Sequence, residues 1–204
     1  MSARLAAKKL AFWFATLAVV PSLVSYRVRG AIFGRDRALE GSTQALALVP
    51  GIIGQYLRRA FLTRALASCD WTATVEYGTI FSRAGARIGA AAYIGPACHL
   101  GLVHIEQEVL IGAGVHIPSG PETHGIDDLS RPIREQPGTH VRVRIGAGSW
   151  IGSAAIVMAD VGSESVVGAG SVVTHPIPDR ALAAGVPARV IRRREPSVNH
   201  SHSA

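Results

Sequence analysis

The sequence predicts a mainly β chain, a parallel β-helix of hexapeptide repeats, preceded by an N-terminal α-helical segment that is partly apolar. Three observations carry this. An aliphatic residue returns about every six positions from Gly78 to Val173, glycine often follows it, and a small or β-branched residue stands four places after it. Ahead of that ladder the apolar residues fall at helical rather than strand spacing.

The N-terminal segment, residues 1–45, holds the chain's basic character. The first 60 residues contain nine Lys and Arg against two Asp and Glu, and the rest contain twelve of each sign. The formal net charge of +7 therefore belongs to this end, and no nucleic-acid partner is expected. Leu10 to Tyr26 is uncharged, between Arg4, Lys8 and Lys9 on one side and Arg27, Arg29, Arg35 and Arg37 on the other. Seventeen residues are at the short limit for a membrane span, and Pro21 would kink one. Three readings stand: membrane contact, which the composition favours; a signal peptide, for which no A-x-A site follows; and a helix packed on the body or on a neighbouring subunit. With 48% hydrophobic and 17% charged residues, the chain is not a disordered tail protein.

Residues 46–72 form an amphipathic helix and a lead-in. Val49-Pro50-Gly51 opens a helix over 52–67, with Ile53, Leu57, Ala60, Phe61 and Ala65 at helical spacing and Arg58, Arg59 and Arg64 between them. It caps the β-structure or lies on a membrane surface. Cys69 and Cys98 fit neither a disulfide framework nor a metal pair.

The repeat domain is expected over 73–194. Units begin at Ile88, Ile94, Leu100, Ile105, Ile111 and Ile117, and again at Ile145, Ile151, Val157, Val161, Val167 and Val173. In a triangular coil each side is one short strand, so an inward aliphatic must recur once per side. Glycine after it suits the backbone angles of a corner. A small residue four places on, such as Ala92, Cys98, Ser149 or Ser165, fits the narrow interior. Cys98 is thus core filler rather than a nucleophile.

Between Ile117 and Ile145 the register is lost, and residues 118–144 form an excursion rich in Pro and Gly. Long ordered loops in compact folds are usually functional. This one holds Thr123-His124-Gly125, then Asp127 and Asp128. Residues 195–204 are expected to be a loose tail.

The loop His124, Ile145-Gly-Ala-Gly-Ser-Trp-Ile-Gly-Ser153, Val167-Gly-Ala-Gly-Ser-Val-Val-Thr174 and Ala184-Gly-Val-Pro-Ala-Arg-Val-Ile-Arg192 occur in that order. Together they resemble the hexapeptide-repeat acyltransferases, which include galactoside and maltose O-acetyltransferases and enzymes of polysaccharide biosynthesis. The resemblance spans residues 78–194. It implies a left-handed β-helix, acetyl-CoA as co-substrate, a sugar hydroxyl as acceptor and a homotrimer. It makes His124 the general base, a role that neutral imidazole suits near neutral pH. It lines the pantetheine groove with backbone at Ser153 and Ala169, makes Trp150 a wall, and brings Arg189 and Arg192 to the phosphates. Thr174 and His175 lie further along, and His175 stands where relatives often carry Lys.

The other histidines give less. His99 and His104 have a spacing found in zinc-binding carbonic anhydrases of this fold, but no histidine precedes His99, and no metal is expected. His116 is placed to line an acceptor pocket, and His140, His200 and His202 read as solvated loop or tail residues. The leading expectation is an O-acetyltransferase of cell-envelope or exported polysaccharide, cytoplasmic, at the inner face of the membrane. An antibiotic-modifying acetyltransferase of the same fold and a non-catalytic β-helix scaffold remain as alternatives. Serine acetyltransferase fits poorly, since the long helical domain ahead of its repeats is missing.

Overall fold

A computed structural model of the chain describes residues 3–195; the tail from residue 196, with His200 and His202, lies outside them. Four helices precede the coil: α1 (Ala3–Ala18), α2 (Val20–Phe33), α3 (Arg35–Ala47) and α4 (Gly51–Ala65). The apolar run that begins at Leu10 is not one helix. It breaks between Ala18 and Val20 with a bend of 49°, and Pro21 falls in the first turn of α2, where its missing N–H costs nothing. Among the described residues no single helix is long and apolar enough to cross a membrane.

The strands, numbered in chain order, form three faces. The first face holds β1 (Ser68–Cys69), β4 (Arg87–Ile88), β7 (Val103–Ile105) and β10 (Val143–Ile145). The second holds β2 (Thr74–Val75), β5 (Tyr93–Ile94), β8 (Leu110–Ile111), β11 (Trp150–Ile151), β13 (Val166–Val167), β15 (Ala181–Gly185) and β16 (Ala188–Arg193). The third holds β3 (Ile80–Phe81), β6 (His99–Leu100), β9 (His116–Ile117), β12 (Ile156–Val157) and β14 (Val172–Val173). Every pairing is parallel except β15 with β16, where the chain folds back on itself. The fold class is the parallel β-helix that the repeats predict, with the left hand that the resemblance implies. It starts at Ser68, earlier than the expected residue 73, because Cys69, Val75 and Phe81 already occupy the inward positions of a first turn.

The inward residues stack between turns. Ile94, Ile111, Ile151 and Val167 follow one another on the second face, and Phe81, Leu100 and Ile117 on the third, all at most 2% exposed. Each such side chain contributes about 1.5–3 kcal/mol of burial. The small residues behave as expected, since Ala92, Cys98, Ala155 and Ser165 are all buried. Ser149 Oγ donates to the Gly162 carbonyl at 2.7 Å and accepts the Ser165 N–H at 3.0 Å, so a hydroxyl satisfies the coil interior.

One expectation is corrected. The glycines after the aliphatic residues are not there for unusual backbone angles. Left-handed φ falls two places later at the corners, at Ala154 (φ 58°), Glu164 (φ 56°) and Gly170 (φ 67°). At Gly146 and Gly152 an added Cβ would strike the backbone of the next turn, at Ser163 and Ala169 respectively. Close stacking of turns, rather than φ, selects glycine there.

The helices close the first turn of the coil. Arg59 donates to the Ala73 carbonyl at 2.6 Å, and Tyr26 Oη donates to the Ala65 carbonyl at 3.2 Å while its ring meets Phe61 edge-on. Of the two readings of the amphipathic helix, α4 thus acts as a cap.

At the far end of the excursion, Glu106 accepts from Arg144 Nε at 2.6 Å and from the Ala147 N–H at 3.0 Å. The Arg144 hydrogen bond holds its carboxyl below the usual carboxylate range. A depressed folded pKa gives stability that is present above the unfolded value and lost as pH falls through the folded one. Glu106→Gln should therefore cost about 1 kcal/mol at pH 7 in urea denaturation. The gap to wild type should close once the solution is more acidic than the ordinary carboxylate range.

Candidate active site

The excursion leaves the coil after β9 and is tied down at both ends. Ser119 Oγ accepts the Leu102 N–H at 2.9 Å, and the Ser119 carbonyl accepts the Val141 N–H at 2.8 Å. Inside the loop the buried Gln136 amide donates to the carbonyls of Asp128 (2.7 Å) and Arg131 (3.0 Å) and accepts the Asp128 N–H. Gly138 lets the returning arm approach the backbone of Thr123 and His124 where no Cβ would fit. The segment carrying His124 is therefore braced against the other half of its own loop.

His124 faces a cleft of about 480 Å³ on the third face of the coil. Its floor is made by outward residues of neighbouring strands, Ile80, His99, His116 and Ile156. The rings of His99 and His116 lie 5.4 Å apart. Thr123, His124 and His140 of the excursion form one wall, and Glu40 of α3 with Ser82 and Arg83 forms the other. Arg83 donates to His140 Nε2 at 2.7 Å and to Asp36 at 3.1 Å. Asp36 also accepts the Ala84 N–H at 2.8 Å. The chain thus ties α3, the first turn of the coil and the excursion together at one rim.

His116 lines this cleft, as does His124. His140 is exposed, yet it is bound to Arg83 rather than simply solvated. Arg83, Asp36 and Glu40 escaped the sequence reading, since Asp36 and Glu40 lie outside the repeats and Arg83 is a corner residue. His104 lies on the first face and His99 on the third, so their zinc-like spacing does not bring them together. Among the described residues no group of three or more His, Cys, Asp or Glu could hold a metal. Cys98 is fully buried, and burial pushes its thiol up, which removes it as a nucleophile.

The residues expected to hold coenzyme A lie elsewhere. Trp150 is on the second face, 52% exposed, between Leu110 and Val166. Ser153 and Ala169 sit one above the other at the corner between second and third faces, joined by the bond from the Gly170 N–H to the Ser153 carbonyl at 2.9 Å. Arg189 and Arg192 are exposed on β16 at the edge of the second face. Thr174 and His175 are at the corner after β14, with Thr174 Oγ1 and His175 Nδ1 2.8 Å apart. One chain places His124 on the third face and Trp150, Arg189 and Arg192 on the second, and does not bring them together.

Comparison with known proteins bears on what this arrangement is. The family model for the hexapeptide repeat of succinyl-transferase matches residues 142–175. The galactoside O-acetyltransferase of Escherichia coli is 52% identical over 52 residues, 24% of this chain and 26% of that protein. A probable acetyltransferase of Mycobacterium tuberculosis is 38% identical over 74 residues, 35% of this chain and 25% of that one. A galactoside acetyltransferase solved with coenzyme A superposes with a TM-score of 0.59 at 25% identity, covering 85% of this chain and 82% of that one. The chain carries hexapeptide repeats and is similar to acetyltransferases. A maltose O-acetyltransferase from Clostridium difficile shares the fold, with a TM-score of 0.66 at 23% identity over 79% of this chain and 89% of that one. The chain spans about a quarter of the length of the curated relatives named here. His124 and the excursion as far as residue 141 lie outside the stretch that the family model matches, so His124 rests on its own geometry.

Proposed function

We propose that the protein is an acetyl-CoA-dependent O-acetyltransferase acting on a hydroxyl of a sugar, in the synthesis of cell-envelope or exported polysaccharide. The observation that carries this is His124, braced in an ordered excursion outside the coil and facing a cleft lined by polar side chains. In the reaction, His124 takes the acceptor hydroxyl proton as the oxygen attacks the thioester carbonyl. The tetrahedral intermediate collapses, the C–S bond breaks, and the His124 imidazolium returns its proton to the sulfur, so that coenzyme A leaves as the thiol. A backbone N–H stabilises the oxyanion. Cys98, buried and with a raised pKa, leaves direct transfer as the route.

Ser153 and Ala169 would border the pantetheine, Trp150 would form a wall beside the thioester, and Thr174 and His175 lie further along. Arg189 and Arg192 would meet the phosphates, where guanidinium groups can bind in bidentate fashion. The support for acetyl-CoA is the repeat's likeness to acetyltransferases, one of them solved with coenzyme A. The test is thiol release from acetyl-CoA across a panel of sugars. Acceptor-dependent release is expected, and none with any sugar would remove the reading.

A homotrimer follows from the separation of the two halves of the site. His124 of one subunit would meet Trp150 and Ser153 of the next. Exposed apolar side chains on the second face, Tyr93, Leu110 and Trp150, fit such a contact. Light scattering on detergent-solubilised protein should give three times the chain mass, and a fully active monomer would exclude the shared site. The basic, apolar N-terminus supports a location at the inner face of the cell membrane, on the side where acyl-CoA is made.

A further inference from the structure

The cleft at His124 does not end at Arg83. A second cavity of about 610 Å³ adjoins it, sharing Glu40, Ser82 and Arg83, and opens at the junction of α2 and α3 beside Phe33, Arg35 and Arg37. Phe33 is 62% exposed at that mouth. It continues an apolar stripe along the outer side of the bent α1–α2 pair. Trp13, Leu17, Val20, Val24, Val28 and Ile32 recur every three or four residues, each 45–67% exposed. The opposite side of the same helices, with Ala15, Val19, Leu23 and Tyr26, is buried against the body. The pair therefore carries two apolar stripes, and one has no cover.

Charge decides what covers it. Lys8, Lys9 and Arg27 are exposed on these helices, and the first acidic residue of the chain is Asp36. A second copy docked on this face would bring like charges together, whereas an anionic bilayer is complementary. Arg35 and Arg37 then stand at bilayer level by the cavity mouth. Asp36 is already paired with Arg83, and Glu40 lies at the inner end of the cavity, so its three arginines outnumber its two acids and Arg35 and Arg37 stand nearest the mouth.

We infer that the acceptor is a sugar linked through phosphate to a membrane lipid. Its sugar occupies the four-histidine cleft, its phosphate lies against Arg35 and Arg37, and its lipid tail passes Phe33 into the bilayer that holds the outer stripe of α1 and α2. The inference rests on the proposed O-acetyl transfer and narrows its substrate class. Glu40, where the cavities join, would accept hydrogen bonds from sugar hydroxyls, and phosphate is left to the arginines beyond it.

The test uses full-length protein, labelled acetyl-CoA, and galactose, glucose and mannose each in three forms. These are the polyprenyl-phosphate-linked sugar in vesicles containing phosphatidylglycerol, the sugar 1-phosphate, and the methyl glycoside. At least one lipid-linked sugar should be acetylated ten times faster or more than both its soluble forms. That ratio should fall at least tenfold in Arg35→Glu/Arg37→Glu and in Trp13→Asp/Val24→Asp. A 1-phosphate that matches the lipid-linked form would show phosphate recognition without lipid and overturn the inference. So would a smaller preference, a ratio unmoved by both variants, or an Asp variant that dissociates an oligomer in solution instead of releasing protein from vesicles. Transfer to soluble glycosides alone would leave O-acetylation standing and remove only this inference. No transfer to any sugar would remove both.

Discussion

Replacing His124 by Ala should lower acetyl transfer by roughly 10² to 10⁴, the range for a positioned acid–base group, while the protein stays folded. The residue is exposed and lies outside the repeat register, so no core contact is lost. Its segment is held by Gln136 and by backbone bonds such as that from the Thr139 N–H to the Glu122 carbonyl at 2.7 Å, none of which uses the imidazole. Thermal unfolding of the variant should match wild type, and coenzyme A affinity should stay within a few-fold. His104→Ala, on the first face and away from the cleft, serves as the control and should retain its turnover. A His124→Ala variant with wild-type turnover would move the base elsewhere in the cleft, with His116 the first candidate.

The largest effect on stability is expected at Arg58. Its side chain is 2% exposed and reaches three backbone carbonyls: Val75 at 2.9 Å from Nε, and Leu46 at 3.1 Å and Val49 at 2.7 Å from one terminal nitrogen. Leu46 is in the last turn of α3, Val49 in the connection to α4, and Val75 in the first turn of the coil. One guanidinium thus joins the helical cap to the β-helix. Gly54 leaves it room, since a Cβ there would strike the Val49 carbonyl and the Arg58 guanidinium. Burial lowers the arginine's pKa. Arg58→Ala removes donors from three carbonyls and opens a void, at a cost of about 3 kcal/mol or more. Chemical denaturation should report it as a lower midpoint. Arg58→Lys, with no planar fork to span the three oxygens, should recover only part of the loss. A midpoint within experimental error of wild type for Arg58→Ala would mean that the cap is held by apolar packing alone.

Much of the coil is legible in the sequence because each turn repeats one steric demand. An inward aliphatic such as Ile111 or Ile151, a glycine against the next turn and a small residue in the corner must recur wherever turns stack. The first turn is harder to read. Cys69, Val75 and Phe81 fill its inward positions without the glycine that marks later units, and Asp70, Glu76 and Ser82 stand where that glycine would be. The excursion stands out as a loss of register, and His124 with it. The opposite wall of the cleft is not visible in the same way. Arg83 pairs with His140, 57 positions away, and with Asp36, 47 positions away, and no local pattern encodes either contact. The break at Val19 is partly legible: Pro21 signals an interruption, but only the packing of Tyr26 on Phe61 and Ala65 shows which side of α2 turns inward.

The central claim is that this protein makes an acetyl ester on a sugar hydroxyl, with His124 as the base. The most direct measurement is nuclear magnetic resonance of the product formed from carbonyl-labelled [¹³C]acetyl-CoA by wild-type and His124→Ala protein, before and after treatment with hydroxylamine. The account predicts a sugar-bound ester carbonyl that appears as coenzyme A is released, disappears with hydroxylamine, and forms at least a hundredfold more slowly with the variant. A hydroxylamine-resistant amide, or an ester formed equally fast by both proteins, would contradict it.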